Sequence, residues 1–87
     1  MRLIWTDDSW ERYVDWQSID KKTTTKINKL IKDIKRSPYE GLGKPEPLKH
    51  EFRGFCSRRI DEYNRLIYRV EDNTIEILSC FGHYDQD

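Results

Sequence analysis

Glu46 lies between two prolines, Pro45 and Pro47. Pro47 pushes the backbone of Glu46 toward the extended region, and the ring of Pro45 fixes its own φ, so the carboxylate is displayed from a backbone with few alternatives. That stiffness would suit a catalytic base, because it lowers the entropy cost of holding the group in line. The competing interpretation is an ordinary surface glutamate in a rigid turn, and spacing alone leaves both open.

Two arginines, Arg65 and Arg69, fall on one face of residues 65–70, a segment with the pattern of a β-strand. Alternation makes one face of this segment apolar and gives the other face Arg65, Ile67 and Arg69. A buried sheet rarely places arginines on its second face unless they bind an anion or reach solvent, and Arg59 on the preceding segment adds to the cluster. The pattern predicts a sheet whose arginines bind phosphate.

His83 and Tyr84 are neighbours whose side chains suit proton transfer and nucleotide binding. Histidine is the commonest general acid or base near neutral pH, and a tyrosine ring offers a surface on which a base can stack. A lone histidine is more often simply solvated, so the residues alone leave its role open.

The first helix expected to support these side chains follows a short strand in residues 1–5 and is capped by one of residues 6–8. Its expected apolar contacts are Trp10, Tyr13 and Val14, which recur at helical spacing. Trp16 lies off that stripe and is expected to be partly exposed.

A second helix is expected to begin after Ser18 or Asp20 and to end at Ser37-Pro38, because the residue before a proline disfavours the helical conformation. Its apolar residues recur at i, i+3, i+4 and i+7, which predicts one buried stripe. The members of the stripe are Ile27, Leu30, Ile31 and Ile34.

A loop and a sheet follow the helices. Residues 38–48 contain prolines and glycines at a density that excludes helix, and residues 55–70 are predicted to form a β-hairpin. The last strand, residues 74–81, is apolar on both faces and is therefore expected in the interior of the sheet. Its expected faces are Ile75, Ile77 and Phe81 on one side, and Leu78 and Cys80 on the other.

Length and composition favour a single domain over residues 1–87, of which 36% are hydrophobic. No apolar run approaches the roughly 20 residues needed to span a bilayer, which argues against a membrane protein. Cys56 and Cys80 lie in or near strand-like segments of a chain with no recognisable signal peptide, so we expect two reduced thiols and a cytoplasmic location.

The formal net charge of zero conceals a strong asymmetry. Residues 21–69 carry 14 of the 16 basic residues and six acidic ones, a net charge of +8, and the two ends together carry −8. A localised basic region is expected for a polyanion partner, although a neutral chain should bind naked nucleic acid only weakly. For the lysines of residues 21–36, a solvated helix face is an equally good explanation.

Motifs spread over nearly the whole chain support a family resemblance. The most specific is the block Gly-Lys-Pro-Glu-Pro-Leu-Lys-His at residues 43–50, and others are Leu-Ile-Trp at 3–5, Ser-Arg-Arg-Ile at 57–60, Arg-Leu-Ile-Tyr at 65–68 and His-Tyr at 83–84. With these motifs the chain resembles the YoeB toxins of the RelE/ParE superfamily, the mRNA interferases of bacterial type II toxin-antitoxin systems. The resemblance implies an α+β fold, a small antiparallel-rich twisted β-sheet flanked by two N-terminal α-helices.

The resemblance also implies ribosome-dependent cleavage of mRNA in the A site, which inhibits translation and requires no metal or cofactor. By the family pattern, Glu46 is the general base toward the 2′-hydroxyl and His83 is the general acid toward the leaving 5′-oxygen. Arg65 stabilises the charged phosphorane, and Tyr84 orients the nucleotide. Internal transesterification needs one proton removed, one supplied and developing charge neutralised, which these side-chain types can do.

Further expectations follow from the same resemblance. Lys49 and Arg59 are expected to contact phosphates. The expected partners are the ribosome with its mRNA, a cognate antitoxin of the YefM or Phd type, and operator DNA bound through the antitoxin complex. A homodimer is compatible with the family, and Trp16 is an aromatic residue that would contribute to its interface.

The alternative is a non-enzymatic, gyrase-inhibiting toxin of the same superfamily, and the joint presence of Glu46, Arg65, His83 and Tyr84 argues against it. A repressor-forming relative that has lost activity is a third hypothesis, which no residue supports. The chain departs from the family pattern by continuing with Asp85-Gln86-Asp87. These carboxylates would favour the protonated form of His83 or repel RNA.

Overall fold

The computed structural model describes residues 1–82, which form two α-helices, one short 3-10 helix and one sheet of five strands. None of the helices in this range is long and apolar enough to cross a membrane. In chain order the elements are β1 (Arg2–Trp5), α1 (Asp7–Ile19), α2 (Lys21–Arg36), β2 (Glu46–Pro47), the 3-10 helix (His50–Phe52), β3 (Cys56–Arg59), β4 (Arg65–Glu71) and β5 (Thr74–Ser79).

The sheet has the strand order β1-β5-β4-β3-β2, and only the pairing of β1 with β5 is parallel. This arrangement confirms the predicted α+β fold, the antiparallel-rich sheet and the hairpin of β3 with β4. β5 is paired on both sides, which confirms its predicted interior position and explains why it is apolar on both faces.

Helix α2 supplies the helical half of the core. Asp20 caps it by accepting hydrogen bonds from the Lys22 amide at 3.0 Å and the Thr23 hydroxyl at 2.9 Å. The predicted stripe is confirmed, because all four of its residues are buried against the inward face of the sheet. Burial of each such side chain contributes about 1.5–3 kcal/mol. The stripe comprises Ile27, Leu30, Ile31 and Ile34, and the sheet contributes Leu66, Tyr68, Ile75 and Ile77.

The predicted inner face of α1 is correct at Tyr13, which packs against the core, and wrong at the two other predicted positions. Trp10 and Val14 are 49% and 43% exposed, whereas Ser9 is buried and Trp16 packs against the core. The Ser9 hydroxyl donates to the Ile77 carbonyl at 2.9 Å, and the Trp16 indole N–H donates to the Cys80 carbonyl at 3.0 Å. Apolar residues lie on two sides of α1, so the hydrophobic periodicity did not identify which side is buried. The two hydrogen bonds to the end of β5 orient the helix.

The predicted faces at the end of β5 are also wrong. Tyr68 pairs with Ile77 but Ile67 pairs with Ser79, so Leu78 is an extra residue in β5 and forms a β-bulge. The bulge reverses the alternation after Ile77. As a result Cys80 is fully buried in the core and Phe81 is 50% exposed, the opposite of the expected arrangement.

Both cysteines are free and buried, as predicted for reduced thiols. Burial raises the pKa of the Cys80 thiol to about 11 and also raises the pKa of Cys56. The thiolate is the reactive form of cysteine, so both side chains act as small apolar core groups at neutral pH.

Arg58 is a fully buried cation whose structural role the sequence did not reveal. Its guanidinium donates to the Asp33 carboxylate on α2 at 2.5 Å and to the hydroxyl of Tyr68 at 3.1 Å. It also donates to three carbonyls of the loop that follows α2, at 2.7, 2.8 and 3.1 Å. These carbonyls belong to Ser37, Glu40 and Leu42.

Asp33 completes the clamp by accepting from Arg36 and from the Leu42 amide at 2.8 Å. These donors, with Arg58, hold the pKa of Asp33 well below its usual range. A Cβ at Gly41 would lie 2.1 Å from the Asp33 carboxylate, and the φ of Gly41 is +116°, so only glycine fits there. The Asp33–Arg58 clamp therefore fixes the loop of residues 37–44 that leads directly into β2.

Candidate functional site

The outer face of the sheet, opposite the helices, carries three of the predicted site residues, Glu46, Arg59 and Arg65. Leu66 and Tyr68 of β4 point toward the helices, so Ile67 between them points to the outer face. Register places Ser57 opposite Ile67 and Glu46 opposite Ser57. Glu46 therefore belongs to a cross-strand row on the outer face.

Glu46 is displayed from β2, which is only two residues long and lies at the edge of the sheet. The sequence predicted an ordered loop here, and the structure adds this short pairing with β3. An edge position tolerates the prolines on either side, because a proline has no N–H to give to a ladder. Glu46 is exposed, and none of the ion pairs within residues 1–82 includes it.

Arg59 and Arg65 lie directly opposite each other on β3 and β4. Arg65 is two residues from Ile67, so both arginines share the outer face with Glu46. Like charges directly opposite each other destabilise a sheet. Within residues 1–82 no ion pair includes either arginine, although Arg65 lies close enough to the Asp61 carboxylate to lower its pKa. A bound anion between them would relieve this repulsion, which makes the pair a candidate phosphate site.

The guanidinium of Arg65 is fixed at Nη1 by hydrogen bonds to the turn before β4. Its Nη1 donates to the carbonyls of Asp61, Glu62 and Asn64 at 2.9, 3.3 and 3.2 Å. Among residues 1–82, the hydrogen bonds of this guanidinium all use Nη1. The turn before β4 thus orients the Arg65 guanidinium through Nη1.

The described chain ends next to Arg65. The Arg65 amide donates to the Gly82 carbonyl at 2.8 Å, and the Gly82 amide donates to the Asn64 side-chain oxygen at 2.9 Å. The predicted His83 and Tyr84 lie outside the described residues. Gly82, which precedes them in the sequence, is tied to the strand that carries Arg65.

Lys49 is exposed and follows β2 at the start of the 3-10 helix. Leu48 and Ile67 are 5% and 1% exposed, yet neither belongs to the core under the helices. The segment of residues 48–55 therefore covers part of the outer face beside the row that contains Glu46. Lys49 is placed at the rim of that covered part.

Arg69 does not belong with the two facing arginines, although the sequence grouped it with them. Its guanidinium is paired with Glu76 at 2.7 Å and with Glu71 at 3.7 Å, and it stacks on the ring of Phe55 at 4.9 Å. The predicted phosphate-gripping cluster thus reduces to Arg59 and Arg65 in the described residues.

An open cleft of about 280 Å³ adjoins Glu46. Apart from Glu46, its walls are Tyr39, Pro45, Pro47 and Cys56. Mostly apolar and aromatic side chains of this kind suit the flat surface of a nucleobase.

The basic region predicted from the sequence is divided by the fold. The lysines of α2 lie on the side of that helix opposite its buried stripe, and Asp33, the one acidic residue of α2, is buried in the clamp. Arg59 of β3 and Arg65 and Arg69 of β4 lie on the far side of the sheet, whereas Arg58 is buried on the helical side. The cationic surface therefore has two parts, and only the outer face combines positive charge with Glu46.

Comparison with known proteins decides the family. A family model described as a YoeB-like toxin of a bacterial type II toxin-antitoxin system matches residues 5–84. The chain belongs to the YoeB toxin family. It is 55% identical to Toxin YoeB of Escherichia coli strain K12 over 84 residues, which cover 97% of this chain and 100% of that relative. The resemblance drawn from the motifs is confirmed.

Solved YoeB structures share the fold. The YoeB/ParE toxin from Agrobacterium tumefaciens superposes with a TM-score of 0.94 at 46% identity, covering 97% of this chain and 100% of that one. The YoeB dimer from Staphylococcus aureus gives 0.91 at 45% identity, and the heterotetrameric YoeB-YefM complex from the same organism gives 0.90 at 45%. Each of these two comparisons covers 97% of this chain and 98% of the other.

Proposed function

We propose that this YoeB-family toxin is a ribosome-dependent endoribonuclease that cleaves mRNA in the A site and thereby inhibits translation. The observation that supports this function best is the shared outer face of Glu46 and the Arg59–Arg65 pair. A carboxylate and an anion site on one rigid surface are what a phosphodiester cleavage needs. Non-enzymatic inhibition would not require this combination.

The proposed reaction is an internal transesterification. Glu46 removes the proton of the 2′-hydroxyl, the 2′-oxygen attacks the adjacent phosphorus, and Arg65 stabilises the charged phosphorane. His83 donates a proton to the 5′-oxygen as the bond from phosphorus to that oxygen breaks. The products are a cyclic 2′,3′-phosphate and a 5′-hydroxyl, and the proton balance closes without a metal or a cofactor.

The spacing of the outer face suits this reaction. Glu46 and Arg65 are separated by two strand spacings and two residues along the strand, which puts their Cβ atoms about 12 Å apart. Two long side chains can reach a phosphodiester placed between them from that distance. Arg59 and Lys49 would contact neighbouring phosphates, and Tyr84 would orient the nucleotide.

Dependence on the ribosome follows from the charge. The formal net charge is zero, so the protein lacks the large cationic excess that lets a nuclease capture free RNA. A ribosome that presents the codon supplies the positioning instead, and the lysines of α2 add attraction to RNA away from the site. The cell's cytoplasm, where translation occurs, is the proposed location.

The proposed regulator is a YefM-like antitoxin, as in the Staphylococcus aureus complex. An acidic and apolar segment would complement the outer face and the basic surface of α2, and it would inhibit the toxin by covering them. Binding to operator DNA is proposed to occur through this complex.

The first test is the cleavage of a defined mRNA on a translating ribosome, read by primer extension. We expect the wild-type protein to cut within the A-site codon and to leave a cyclic phosphate and a 5′-hydroxyl. The same concentration should degrade naked mRNA much more slowly, because only the ribosome positions the codon. Rapid, sequence-independent degradation without ribosomes would contradict the proposed dependence.

If the protein stops growth but leaves ribosome-bound mRNA intact, the nuclease proposal is wrong. A supercoiling assay with purified gyrase would then test the inhibitor alternative directly, because that alternative predicts loss of gyrase activity at the same toxin concentration.

We propose homodimerisation, as seen for the Staphylococcus aureus relative, through the exposed apolar side of α1. Trp10 and Val14 provide this surface, whereas Trp16, the residue expected from the sequence, is committed to the core. Trp10→Glu should weaken dimerisation about 30-fold or more, because a central tryptophan typically contributes at least about 2 kcal/mol. Sedimentation equilibrium measures the change.

The matched control is Ile19→Glu. Ile19 is 72% exposed on the same helix and lies about 180° around the helix axis from Trp10. Equal sedimentation behaviour of the two variants and the wild type would show that the interface lies elsewhere.

A further inference from the structure

The turn between β3 and β4 is closed by one carboxylate. Asp61 accepts from the Tyr63 amide at 2.8 Å and from the Asn64 amide at 2.7 Å. The Asn64 side-chain nitrogen donates to both oxygens of the same carboxylate, at 3.2 and 3.0 Å. The Asn64 carbonyl in turn accepts from the Ile60 amide at 2.9 Å. Both the backbone and the amide group of Asn64 are therefore held by its own turn.

The same side chain reaches out of the turn. While its nitrogen is held by Asp61, its oxygen accepts from the Gly82 amide at 2.9 Å. One amide group thus links the Asp61 carboxylate to the backbone of the residue before His83. A side-chain amide is suited to this task because it offers a donor and an acceptor at once.

The link occurs where the regular ladder has ended. β5 stops at Ser79, beyond the bulge at Leu78, and the Gly82 carbonyl accepts from the Arg65 amide at 2.8 Å. Asn64 supplies the second hydrogen bond to Gly82, in place of the backbone partner that a continued strand would have provided. Gly82 has a φ of +73°, a conformation that favours glycine, so the pair of hydrogen bonds selects a specific backbone direction at this residue.

We propose that Asn64 is a positioning residue for the cleavage reaction: it sets the direction of the chain at Gly82, the residue that precedes the proposed general acid in the sequence. This role rests on the proposed function. Asp61 acts one step further away by fixing the Asn64 amide. Partial burial raises the pKa of Asp61, but hydrogen bonds from Asn64 and Tyr63 outweigh it and leave the pKa below its usual value. The carboxylate therefore stays ionised and able to accept at neutral pH.

The test separates positioning of the acid from a general structural effect. Asn64→Ala is compared with the wild type on ribosomes that carry either a normal mRNA or one with sulfur in place of the bridging 5′-oxygen at the cleavage site. A thiolate leaves without protonation far more readily than an alkoxide. We expect about a 10- to 100-fold lower kcat on the oxygen substrate with KM changed by less than about threefold. On the sulfur substrate, the kcat defect should shrink to within about threefold.

Asn28→Ala is the matched control, because it removes an exposed amide that only accepts from Tyr13 at 2.7 Å on the helical side of the molecule. It should cleave both substrates like the wild type. Equal defects of Asn64→Ala on the two substrates would overturn the proposal, because a loss of fold or a displaced Arg65 would affect both alike. Unchanged kcat on the oxygen substrate would overturn it as well.

A second measurement does not depend on activity. Hydrogen exchange of the Gly82 amide should be slow in the wild type and at least about tenfold faster in Asn64→Ala, with the core amides of β4 unchanged. Fast exchange in the wild type would show that the link is not formed and would overturn the proposal. If the wild type cleaves neither substrate, the proposed function fails and the catalytic role of Asn64 fails with it, while the exchange rates still decide whether Asn64 holds Gly82.

Discussion

Glu46→Gln should lower the single-turnover rate of A-site cleavage by about 10²- to 10⁴-fold, the usual contribution of a general base. Glutamine keeps the size of the side chain and its place on the edge strand β2, but it cannot take the 2′-hydroxyl proton. Glu46 is exposed and its row is set by backbone pairing, so the variant should fold and bind ribosomes like the wild type. Quenched-flow cleavage with saturating toxin measures the rate.

Glu51→Gln is the control for Glu46→Gln. Glu51 is another exposed carboxylate, five residues further along in the 3-10 helix, and its loss changes the net charge by the same amount. Cleavage by Glu51→Gln should stay within about threefold of the wild type. A comparable loss in both variants would mean that charge, and not proton transfer, is what Glu46 supplies.

A double variant gives a second test of the same role. Undiminished toxicity of a Glu46→Gln, His83→Gln double variant would contradict the nuclease and favour the gyrase-inhibiting alternative.

Arg58→Met should destabilise the protein by about 3–5 kcal/mol, the usual consequence of removing one partner from a buried, hydrogen-bonded ion pair. The change leaves Asp33 without its buried cation and leaves three loop carbonyls without their donor. For a domain of this size, the loss corresponds to a decrease in Tm of about 12 °C or more. Thermal unfolding followed by circular dichroism measures it.

Arg36→Met is the matched control, because Arg36 pairs with the same carboxylate from the surface. The side chain of Arg36 is 71% exposed, whereas that of Arg58 is completely buried. Solvent screens the exposed pair, so Arg36→Met should cost less than about 1 kcal/mol. Similar losses in the two variants would show that the clamp depends on total charge near Asp33 and not on burial.

The Asp33–Arg58 clamp should also make the stability of the protein depend on pH. The folded protein lowers the pKa of Asp33 below its unfolded value, so the ionised carboxylate contributes stability at neutral pH. That contribution is lost as the pH falls toward the lowered folded-state pKa. The wild type should therefore lose stability in acid more steeply than Arg58→Met, which lacks the hydrogen bond from Arg58 and keeps those from Arg36 and the Leu42 amide.

The sequence alone determined the elements whose apolar residues show which of their faces are buried. The stripe of α2, the hairpin of β3 with β4 and the interior position of β5 were all predicted correctly, because the apolar pattern of each records its own burial. The block around Glu46 and the other motifs also identified the YoeB family. These features are local, so no knowledge of register was needed.

Tertiary structure decided what depends on contacts between distant segments. The bulge at Leu78 exchanged the places of Cys80 and Phe81, and hydrogen bonds to the end of β5 turned α1 so that Trp10 faces outward. Neither change can be recognised from the local hydrophobic periodicity, because strand register and helix rotation are set by residues far away in the chain.

Contacts between distant segments also determine the different roles of the arginines. The sequence contains four of them between residues 58 and 69, all with the same charge. Only the fold assigns Arg58 to a buried clamp, neutralises Arg69 with Glu76, and leaves Arg59 and Arg65 facing each other beside Glu46. The sequence determined which chemistry was present, and cross-strand register decided which of its groups share one face.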